Sequence, residues 1–113
     1  MWMVDPTIMC RQHLLGEHVE IHMLVGAIRV GKSLSGYISN NLCQVDMIKS
    51  RHEELVVEMI KRGYNHKSPL PNFQSRNEGK INSWESFKEL LNRCPECAKR
   101  YDELATKVVE ADE

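Results

Sequence analysis

The 113-residue chain has no long apolar run, no signal-like start and no strand-like alternation. No apolar stretch approaches the ~18 residues of a membrane span, so we expect no membrane association. The opening Met-Trp-Met-Val-Asp-Pro has neither the basic start nor the apolar centre of a signal peptide, which favours a cytoplasmic protein. Apolar and polar residues do not alternate at period two, and no internal repeat is visible, so nothing in the pattern favours a sheet.

The chain also lacks an excess of positive charge. Its 15 lysine and arginine residues stand against 16 aspartate and glutamate residues, for a formal net charge of -1. A dedicated nucleic-acid binder is usually basic overall, so any DNA contact must come from a local patch. The chain has 4 cysteines, and in a cytoplasmic protein these are expected to be reduced thiols rather than a disulfide framework. Acidic residues crowd the carboxyl end, at Glu103, Glu110, Asp112 and Glu113.

Helical periodicity runs along most of the chain and predicts one all-α domain over residues 1–113. We expect three to four helices, with a long irregular connection between the second and the third. Asp5 and Pro6 form a start signal, Gly63 a stop signal, and Pro95 a break between two helices. Asn82 to Glu85 has the spacing of a capping box. The predicted helices cover about residues 7–30, 46–62, 83–93 and 95–109, with a loop at 32–41 and the irregular connection at 65–82.

The length of the irregular connection is itself informative. A compact domain rarely tolerates so long a stretch without regular structure unless the stretch has a use. We therefore expect residues 65–82 to lie on a ligand.

The segment 11–26 puts ionisable groups where a simple amphipathic helix would have leucine. At 100° per residue its apolar side chains form one stripe, and Glu17 falls inside that stripe with His13 and Glu20 at its edge. A carboxylate in such a position must be paired or used chemically. The residues of the stripe are Leu14, Ile21, Leu24, Val25 and Ile28.

A phosphate-binding pattern, Gly26-Ala-Ile-Arg-Val-Gly-Lys-Ser33, is present to the letter. Such a loop holds phosphate when it follows a buried strand and opens a helix. Here it ends a predicted helix in a chain without visible strands. We therefore interpret Gly31 as a helix stop and expect no nucleotide cofactor.

Two motifs could bind metal. His18 and His22 share a helix face, but no third ligand is obvious nearby, so hydrogen-bonded imidazoles are the simpler interpretation. Cys94-Pro-Glu-Cys97 places a thiol at a helix start, and a zinc site would need two further ligands. Cys10 and Cys43 could supply them only if the fold brings them there. We expect neither metal nor cofactor, with a small zinc or thiol protein as an alternative.

Residues 11–26 and 51–67 together resemble the pyrimidine-dimer DNA glycosylases of the endonuclease V type. The first segment contains a His-Leu-x-x-Glu-x-x-Glu-Ile core, from His13 to Ile21. The second ends in Lys-Arg-Gly-aromatic-Asn-x-Lys, from Lys61 to Lys67. The match covers about the first 70 residues, in order and with similar separation, and the final third matches weakly.

The resemblance implies a compact helical domain whose N-terminal arm places the α-amine beside a helix carboxylate. In the family that amine attacks C1′ of the damaged nucleotide, releases the base and forms an imine, and β-elimination then cuts the strand. An α-amine is a weaker base than lysine and is more readily nucleophilic near neutral pH. Met1 is the corresponding amine and Glu20 aligns with the catalytic glutamate. The supporting residues are His13, Glu17 and His18, with Glu17 expected to pair with His13 or Arg51.

The chain departs from the family pattern at three places. The family's amine usually belongs to a small residue exposed by removal of the initiator Met, whereas Trp2 is too bulky here, so Met1 itself would carry the amine. The arginines that flank the catalytic glutamate are replaced by Val19 and Met23. The aromatic and lysine-rich carboxyl end is replaced by residues 99–113, which end acidic.

The expected partner is double-stranded DNA that is damaged or modified, bound by a monomer. A non-catalytic helical DNA- or protein-binding module of the same fold is the alternative from a different class. Phosphate contact would come from basic side chains and base stacking from aromatic ones. The candidates for the DNA-binding face are Trp2, Arg11, Arg29, Lys32, Lys61, Arg62, Tyr64 and Lys67.

Overall fold

The computed structural model describes the backbone of residues 1–111 and the side chains through Lys107. This part of the chain is all-α, as predicted, and contains no strand. The acidic residues Asp112 and Glu113 and the side chain of Glu110 lie outside the described part. No helix within the described residues is long and apolar enough to cross a membrane. The helices are α1 (Arg11–Arg29), α2 (Ser35–Ser39), α3 (Ile48–Lys61), α4 (Ser83–Arg93) and α5 (Pro95–Ala111).

The first helix begins later than predicted. Asp5 caps a short 3-10 turn, Pro6–Ile8, by accepting a hydrogen bond from the Thr7 amide at 3.0 Å. The chain is then extended through Met9 and Cys10, and α1 starts at Arg11. The prediction of one continuous helix from residue 7 was therefore wrong. The break buries the Met9 side chain completely and lets the Cys10 amide donate to the sulfur of Cys97 at 3.2 Å.

Helices α1 and α3 pack against each other and form the centre of the core. Four members of the predicted α1 stripe, Leu14, Ile21, Leu24 and Val25, are at most 2% exposed, which confirms the inward face. Ile48, Leu55 and Met59 supply the matching face of α3. Burial of these aliphatic side chains stabilises the pair by roughly 1.5 to 3 kcal/mol for each side chain.

A short helix was missed in the segment predicted as a loop. Helix α2 forms one turn after Leu34, whose side chain is buried and whose carbonyl accepts from the Ile38 amide at 2.9 Å. Its serine and glycine residues are poor helix formers, so the anchoring of Leu34 in the core outweighs local propensity. Before α2, Gly31 adopts a left-handed φ of 77° and ends α1, as its place in the sequence predicted.

The end of α3 and the two C-terminal helices match the predictions closely. Gly63 has a φ of 81° directly after α3. The side chain of Asn82 accepts from the Glu85 amide at 3.0 Å and begins α4. Pro95 occupies the first position of α5, and α4 packs against α5. Between α3 and α4 the described chain has no regular element, which confirms the irregular connection.

Candidate active site

The amino terminus lies against α1. The Met1 amine donates a hydrogen bond to the Glu20 carboxylate and another to the Leu42 carbonyl oxygen at 2.8 Å. Met1 itself is buried, whereas the side chain of Glu20 is 37% exposed. The amine is therefore held at the boundary between the core and solvent, with a carboxylate as its direct partner. These are the two groups that the sequence singled out.

A buried ion pair fixes the N-terminal arm in this position. The Arg51 guanidinium donates to Glu17 from Nε at 2.6 Å and from Nη2 at 3.0 Å, and it donates to the Val4 carbonyl at 2.6 Å. Glu17 in turn accepts from the Trp2 amide at 3.0 Å. Burial alone would lower the pKa of Arg51, but its hydrogen bond and charge interaction with Glu17 outweigh this and raise the pKa. The sequence predicted that Glu17 pairs with His13 or Arg51, and in the structure its ion-pair partner is Arg51.

The N-terminal segment before α1 is also held by contacts with α4 and α5. The Ser86 hydroxyl on α4 donates to the Trp2 carbonyl. Arg100 on α5 donates to the Thr7 carbonyl from Nη2 at 2.8 Å. Met3 has a left-handed φ of 56°, which turns the chain between these attachments. Groups from α1, α3, α4 and α5 therefore all contribute to the position of the amine.

A cleft of about 1040 Å³ opens at the amine. Met1, Trp2 and Glu20 line one side, and the exposed start of α4 lines the other. Lys80 and Arg93 bring positive charge to the cleft, and the Arg93 guanidinium lies 5.5 Å from the centre of the Trp2 ring. The cleft thus combines an amine, an aromatic ring, two cations and the three carboxylates of Glu20, Glu85 and Glu89, and Arg93 is paired with Glu89.

Apart from Arg62, the predicted DNA-binding residues lie in four environments. Trp2 lines the cleft, and Lys32 lines a neighbouring depression that also contains Glu20, Val19 and Met23. The Arg11 guanidinium lies 4.5 Å from the centre of the Tyr64 ring, so these two residues form a pair at another place. Three further cations are exposed on the surface: Arg29, Lys61 and Lys67.

Arg62 is engaged within the protein. Its guanidinium donates to Glu58 at 2.8 Å and to the carbonyls of Pro6 and Met9 at 3.0 and 2.7 Å. These contacts tie the end of α3 to the N-terminal turn. We therefore leave Arg62 out of the proposed DNA-binding face.

Sequence reasoning missed Lys80, Ser86 and Arg93. All three lie in the final third of the chain, where the family pattern is weak, and no local motif marks them. Ser86 and Arg93 reach the cleft from α4, which contacts the Trp2 carbonyl through Ser86, and Lys80 reaches it from the end of the irregular connection. Only the fold could reveal them.

His18, which the sequence analysis expected to be a supporting residue of the site, lies in a cluster of imidazoles. Its ring centre is 4.8 Å from that of His22 and 5.0 Å from those of both His52 and His66. Burial, together with the three neighbouring histidines, lowers the pKa of His18 to about 4. His18 is therefore neutral near physiological pH. The sequence pointed to His18 and His22 but missed His52 and His66.

His13 lies among cysteines instead. Its Nδ1 is 3.2 Å from the sulfur of Cys10 and 3.8 Å from that of Cys97, and Cys94 completes the group. Burial acts to raise the pKa of Cys94, but hydrogen bonds from Cys97 and Cys10 outweigh it and lower the pKa. Burial raises the pKa of Cys97 to about 12. The sequence offered Cys10 and Cys43 as further ligands for the Cys94–Cys97 motif. The fold places Cys10 beside that motif, and Cys43 is not part of the group.

Cys43 lies elsewhere, on the side of the amino terminus. Burial raises the pKa of its thiol, and the charges that act on it include the amino terminus and Glu20. It is buried and free.

A family of known proteins matches the first part of the chain. The sequence profile of the family described as pyrimidine dimer DNA glycosylase matches residues 1–72, which is more than half of the chain. No curated protein and no solved structure matches the chain at a significant level. The matched range contains the amine, Glu20, Glu17 and Arg51. The chain belongs to the pyrimidine dimer DNA glycosylase family.

Proposed function

We propose that this protein is a DNA glycosylase with abasic-site lyase activity that acts on damaged or modified pyrimidines in double-stranded DNA. The observation that carries the proposal is the hydrogen bond from the Met1 amine to Glu20 at the edge of an open cleft. Family membership supports the class of reaction. The protein acts in this proposal as a cytoplasmic monomer without a cofactor.

The reaction begins with the neutral Met1 amine. Its nitrogen attacks C1′ of the damaged nucleotide, the bond from C1′ to the base breaks, and the base leaves with a proton. The bond from C1′ to O4′ then breaks as the nitrogen lone pair forms the C1′=N double bond, O4′ takes the second amine proton, and the opened sugar is held as an imine. A proton then leaves C2′, the bond from C3′ to the phosphate oxygen breaks, and the strand is cut. Water hydrolyses the imine and regenerates the amine.

Glu20 serves two purposes in this scheme. As the direct acceptor of the amine's hydrogen bond, it can take a proton from the ammonium group and leave the nitrogen lone pair free. As a carboxylate beside C1′, it stabilises the positive charge that develops on the sugar when the base departs. Its partial exposure leaves room for the sugar, whereas the buried Glu17 is fully occupied by Arg51 and Trp2.

In this proposal a limited set of basic and aromatic side chains, most of them near Glu20, contacts the DNA. The exposed Lys80 lines the cleft and can contact a phosphate beside the damaged sugar, and Lys32 lines the depression on the other side of Glu20. Arg93 also lines the cleft, but it is paired with Glu89 and would have to exchange that carboxylate for a phosphate. Trp2 offers a face on which an extruded base can stack. Arg11 with Tyr64, and the exposed Arg29, Lys61 and Lys67, would contact the more distant backbone.

One observation favours the non-catalytic alternative. Val19 and Met23 are 57% and 65% exposed in the depression beside Glu20, at the positions where the resemblance leads us to expect arginines. Apolar side chains there cannot hold phosphate. A module that binds DNA or protein without cutting would tolerate this loss.

Borohydride trapping distinguishes the two candidates. The wild-type protein is mixed with duplexes that contain a cyclobutane pyrimidine dimer or an abasic site, and the imine is reduced to a stable adduct. We expect adducts with both, and strongly reduced trapping by Glu20→Gln and by protein with an acetylated amino terminus. Glu103→Gln, which removes an exposed carboxylate from α5, is the matched control and should trap normally. DNA binding without any adduct would establish the non-catalytic module instead.

A further inference from the structure

We propose that Cys10, His13, Cys94 and Cys97 bind a structural zinc ion. The three sulfur atoms and one ring nitrogen lie within 4.8 Å of one another. They come from two short pairs, Cys10-x-x-His13 at the start of α1 and Cys94-x-x-Cys97 at the junction of α4 and α5. Two such pairs brought together by the fold are typical of structural zinc sites.

The spacing of the four atoms fits tetrahedral zinc. With zinc–sulfur bonds of ~2.3 Å and zinc–nitrogen bonds of ~2.0 to 2.1 Å, two sulfur ligands lie about 3.8 Å apart, and a sulfur and a nitrogen about 3.6 Å apart. The sulfurs of Cys10 and Cys94 are 3.8 Å apart. The distances from His13 Nδ1 to the sulfurs of Cys10 and Cys97, 3.2 and 3.8 Å, bracket the second value. One ion at the centre can reach all four.

Backbone amides support the thiolate form of this site. The Cys10 amide donates to the sulfur of Cys97 at 3.2 Å, and the Cys97 amide donates to the sulfur of Cys94 at 3.4 Å. Such donors outside the ligand sphere hold ligating groups in place and favour their charged form. Four protein ligands leave no open position on the metal, so its role is structural rather than catalytic.

The site joins parts of the chain that are 84 and 87 residues apart. It would fasten the α4–α5 pair to the N-terminal segment whose first residue presents the amine. His13 also contacts Trp2 edge to face, with ring centres 5.7 Å apart, so the metal would help to hold the arm. The inference itself rests on the cluster alone and does not require glycosylase activity.

Metal analysis and cobalt substitution test the site in the full-length protein. We expect zinc to be retained after purification under reducing conditions, and the cobalt-loaded protein to show the near-ultraviolet sulfur-to-cobalt charge-transfer absorption. Cys97→Ser should lose that absorption and one equivalent of zinc. Cys43→Ser, which alters a buried cysteine outside the cluster, is the matched control and should keep both.

The reactivity of the thiols in wild-type protein gives a second test, which remains available if Cys97→Ser fails to fold. In wild-type protein, three thiols should resist a thiol reagent until a chelator removes zinc, whereas no such dependence is expected for Cys43. Wild-type protein that binds no zinc, or a cobalt complex without sulfur ligation, would overturn the proposal. A disulfide between any two of the three cysteines in freshly reduced, zinc-supplied protein would overturn it as well.

A cluster of four histidines, separate from the cysteine cluster, indicates a second metal site. Within the described residues, the Nε2 atoms of four histidines are buried and have no hydrogen-bond partner. They belong to His18 and His22 on α1, His52 on α3 and His66 on the irregular connection. The ligand atoms of the first three lie within 4.8 Å of one another, and the His66 ring centre is 5.0 Å from that of His18. We infer that these imidazoles bind a divalent first-row transition metal, with zinc as the reference ion.

The surroundings of the rings support ligation. The Nδ1 of His52 contacts the Glu53 carboxylate at 3.0 Å, which favours a proton on that nitrogen and a free lone pair on the buried Nε2. A carboxylate partner of this kind, on the nitrogen that does not bind metal, is usual for a ligating histidine. His52 is 1% exposed and His18 is 8% exposed, so water is largely excluded from these rings.

Reciprocal variants separate the two sites. Zinc-saturated wild-type protein should contain two ions per chain. Cys97→Ser should retain the ion at the four histidines, while His22→Asn should retain only the thiolate ion and its cobalt charge-transfer absorption. X-ray absorption at the metal edge of cobalt-loaded Cys97→Ser should show nitrogen ligands alone.

The contact between Glu53 and His52 allows a test that leaves all four histidines in place. Glu53→Gln should weaken the four-histidine site by about 10- to 100-fold. Glu103→Gln, an exposed carboxylate far along the chain, should leave the affinity unchanged. The second site is overturned if wild-type protein supplied in turn with zinc, nickel, copper and cobalt never binds more metal than the thiolate cluster holds. It is also overturned if His22→Asn binds two ions as tightly as wild type.

Discussion

Arg51 holds Glu17 through two hydrogen bonds, one to each carboxylate oxygen, with distances of 2.6 Å from Nε to Oε2 and 3.0 Å from Nη2 to Oε1. Both side chains are at most 1% exposed. Because Glu17 also accepts from the Trp2 amide and Arg51 donates to the Val4 carbonyl, this pair connects α1 and α3 to the N-terminal arm. The position of the amine therefore depends on a buried ion pair behind it.

Glu17→Gln should lower the free energy of unfolding by about 3 to 5 kcal/mol, because it removes the buried carboxylate beside Arg51 and leaves that charge with only the half-exposed Glu54. Urea unfolding followed by circular dichroism measures the change. Glu89→Gln breaks the exposed pair with Arg93 and should change stability by no more than about 1 kcal/mol. Equal effects of the two substitutions would contradict the anchoring role of Glu17.

Val19→Arg should strengthen binding to damaged duplex DNA. Val19 is 57% exposed beside Glu20, so an arginine there can reach a phosphate without disturbing the core. Each added phosphate contact should steepen the dependence of log affinity on log salt by about 0.9. Val57→Arg, on another exposed valine, is the control and should have a smaller effect. An unchanged slope for Val19→Arg would place DNA away from Glu20.

Lys61→Ala and Arg62→Ala should separate binding from stability, although the residues are neighbours. Lys61 is exposed, so its loss should weaken DNA binding uniformly and reduce the salt slope by about one. Arg62 bonds to Glu58 and to two carbonyls, so its loss should cost about 1.5 to 3 kcal/mol of stability. Filter binding and thermal unfolding give the two readouts. A stable Arg62→Ala protein with lost DNA binding would reverse the assignment.

Gly79→Ala should destabilise the protein more than Gly63→Ala. Both glycines have left-handed φ values, of 78° and 81°, which cost about 1 to 3 kcal/mol for another residue. A Cβ on Gly79 would in addition lie 2.1 Å from the Cys43 carbonyl oxygen, whereas one on Gly63 meets nothing within 4 Å. Chemical denaturation of both variants tests this order. Indistinguishable variants would mean that the connection does not pack tightly beside Cys43.

Local signals predicted the parts of the fold that depend on neighbours in sequence. Asn82, Pro95 and Gly63 act within a single helical turn, so their structural roles could be predicted without the fold. The burial of Glu17 followed from helical periodicity, since its position on α1 is fixed by Leu14 and Ile21. Its choice of Arg51 over His13 could not be predicted, because two helices had to be placed first.

Contacts between distant segments account for what the sequence did not predict. The break at Met9 and Cys10 depends on Cys97, and the turn of α2 depends on the burial of Leu34. The two clusters of candidate metal ligands could be predicted only in part for the same reason, since the sequence offered Cys10, Cys94 and Cys97 as possible zinc ligands but did not join His13 to them. His18 and His22 were visible as a pair, but His52 and His66 join them only when α3 and the connection fold over α1.

Mapping the trapped adduct tests the role of the Met1 amine most directly. After borohydride reduction with an abasic-site duplex, the protein is digested and the modified peptide is sequenced by mass spectrometry, with the intact mass confirming that Met1 is retained. We predict that the sugar remnant is attached to the α-nitrogen of Met1. Attachment to a lysine side chain such as Lys80, or a Glu20→Gln protein that forms the same adduct at an unchanged rate, would contradict the proposed amine–carboxylate mechanism.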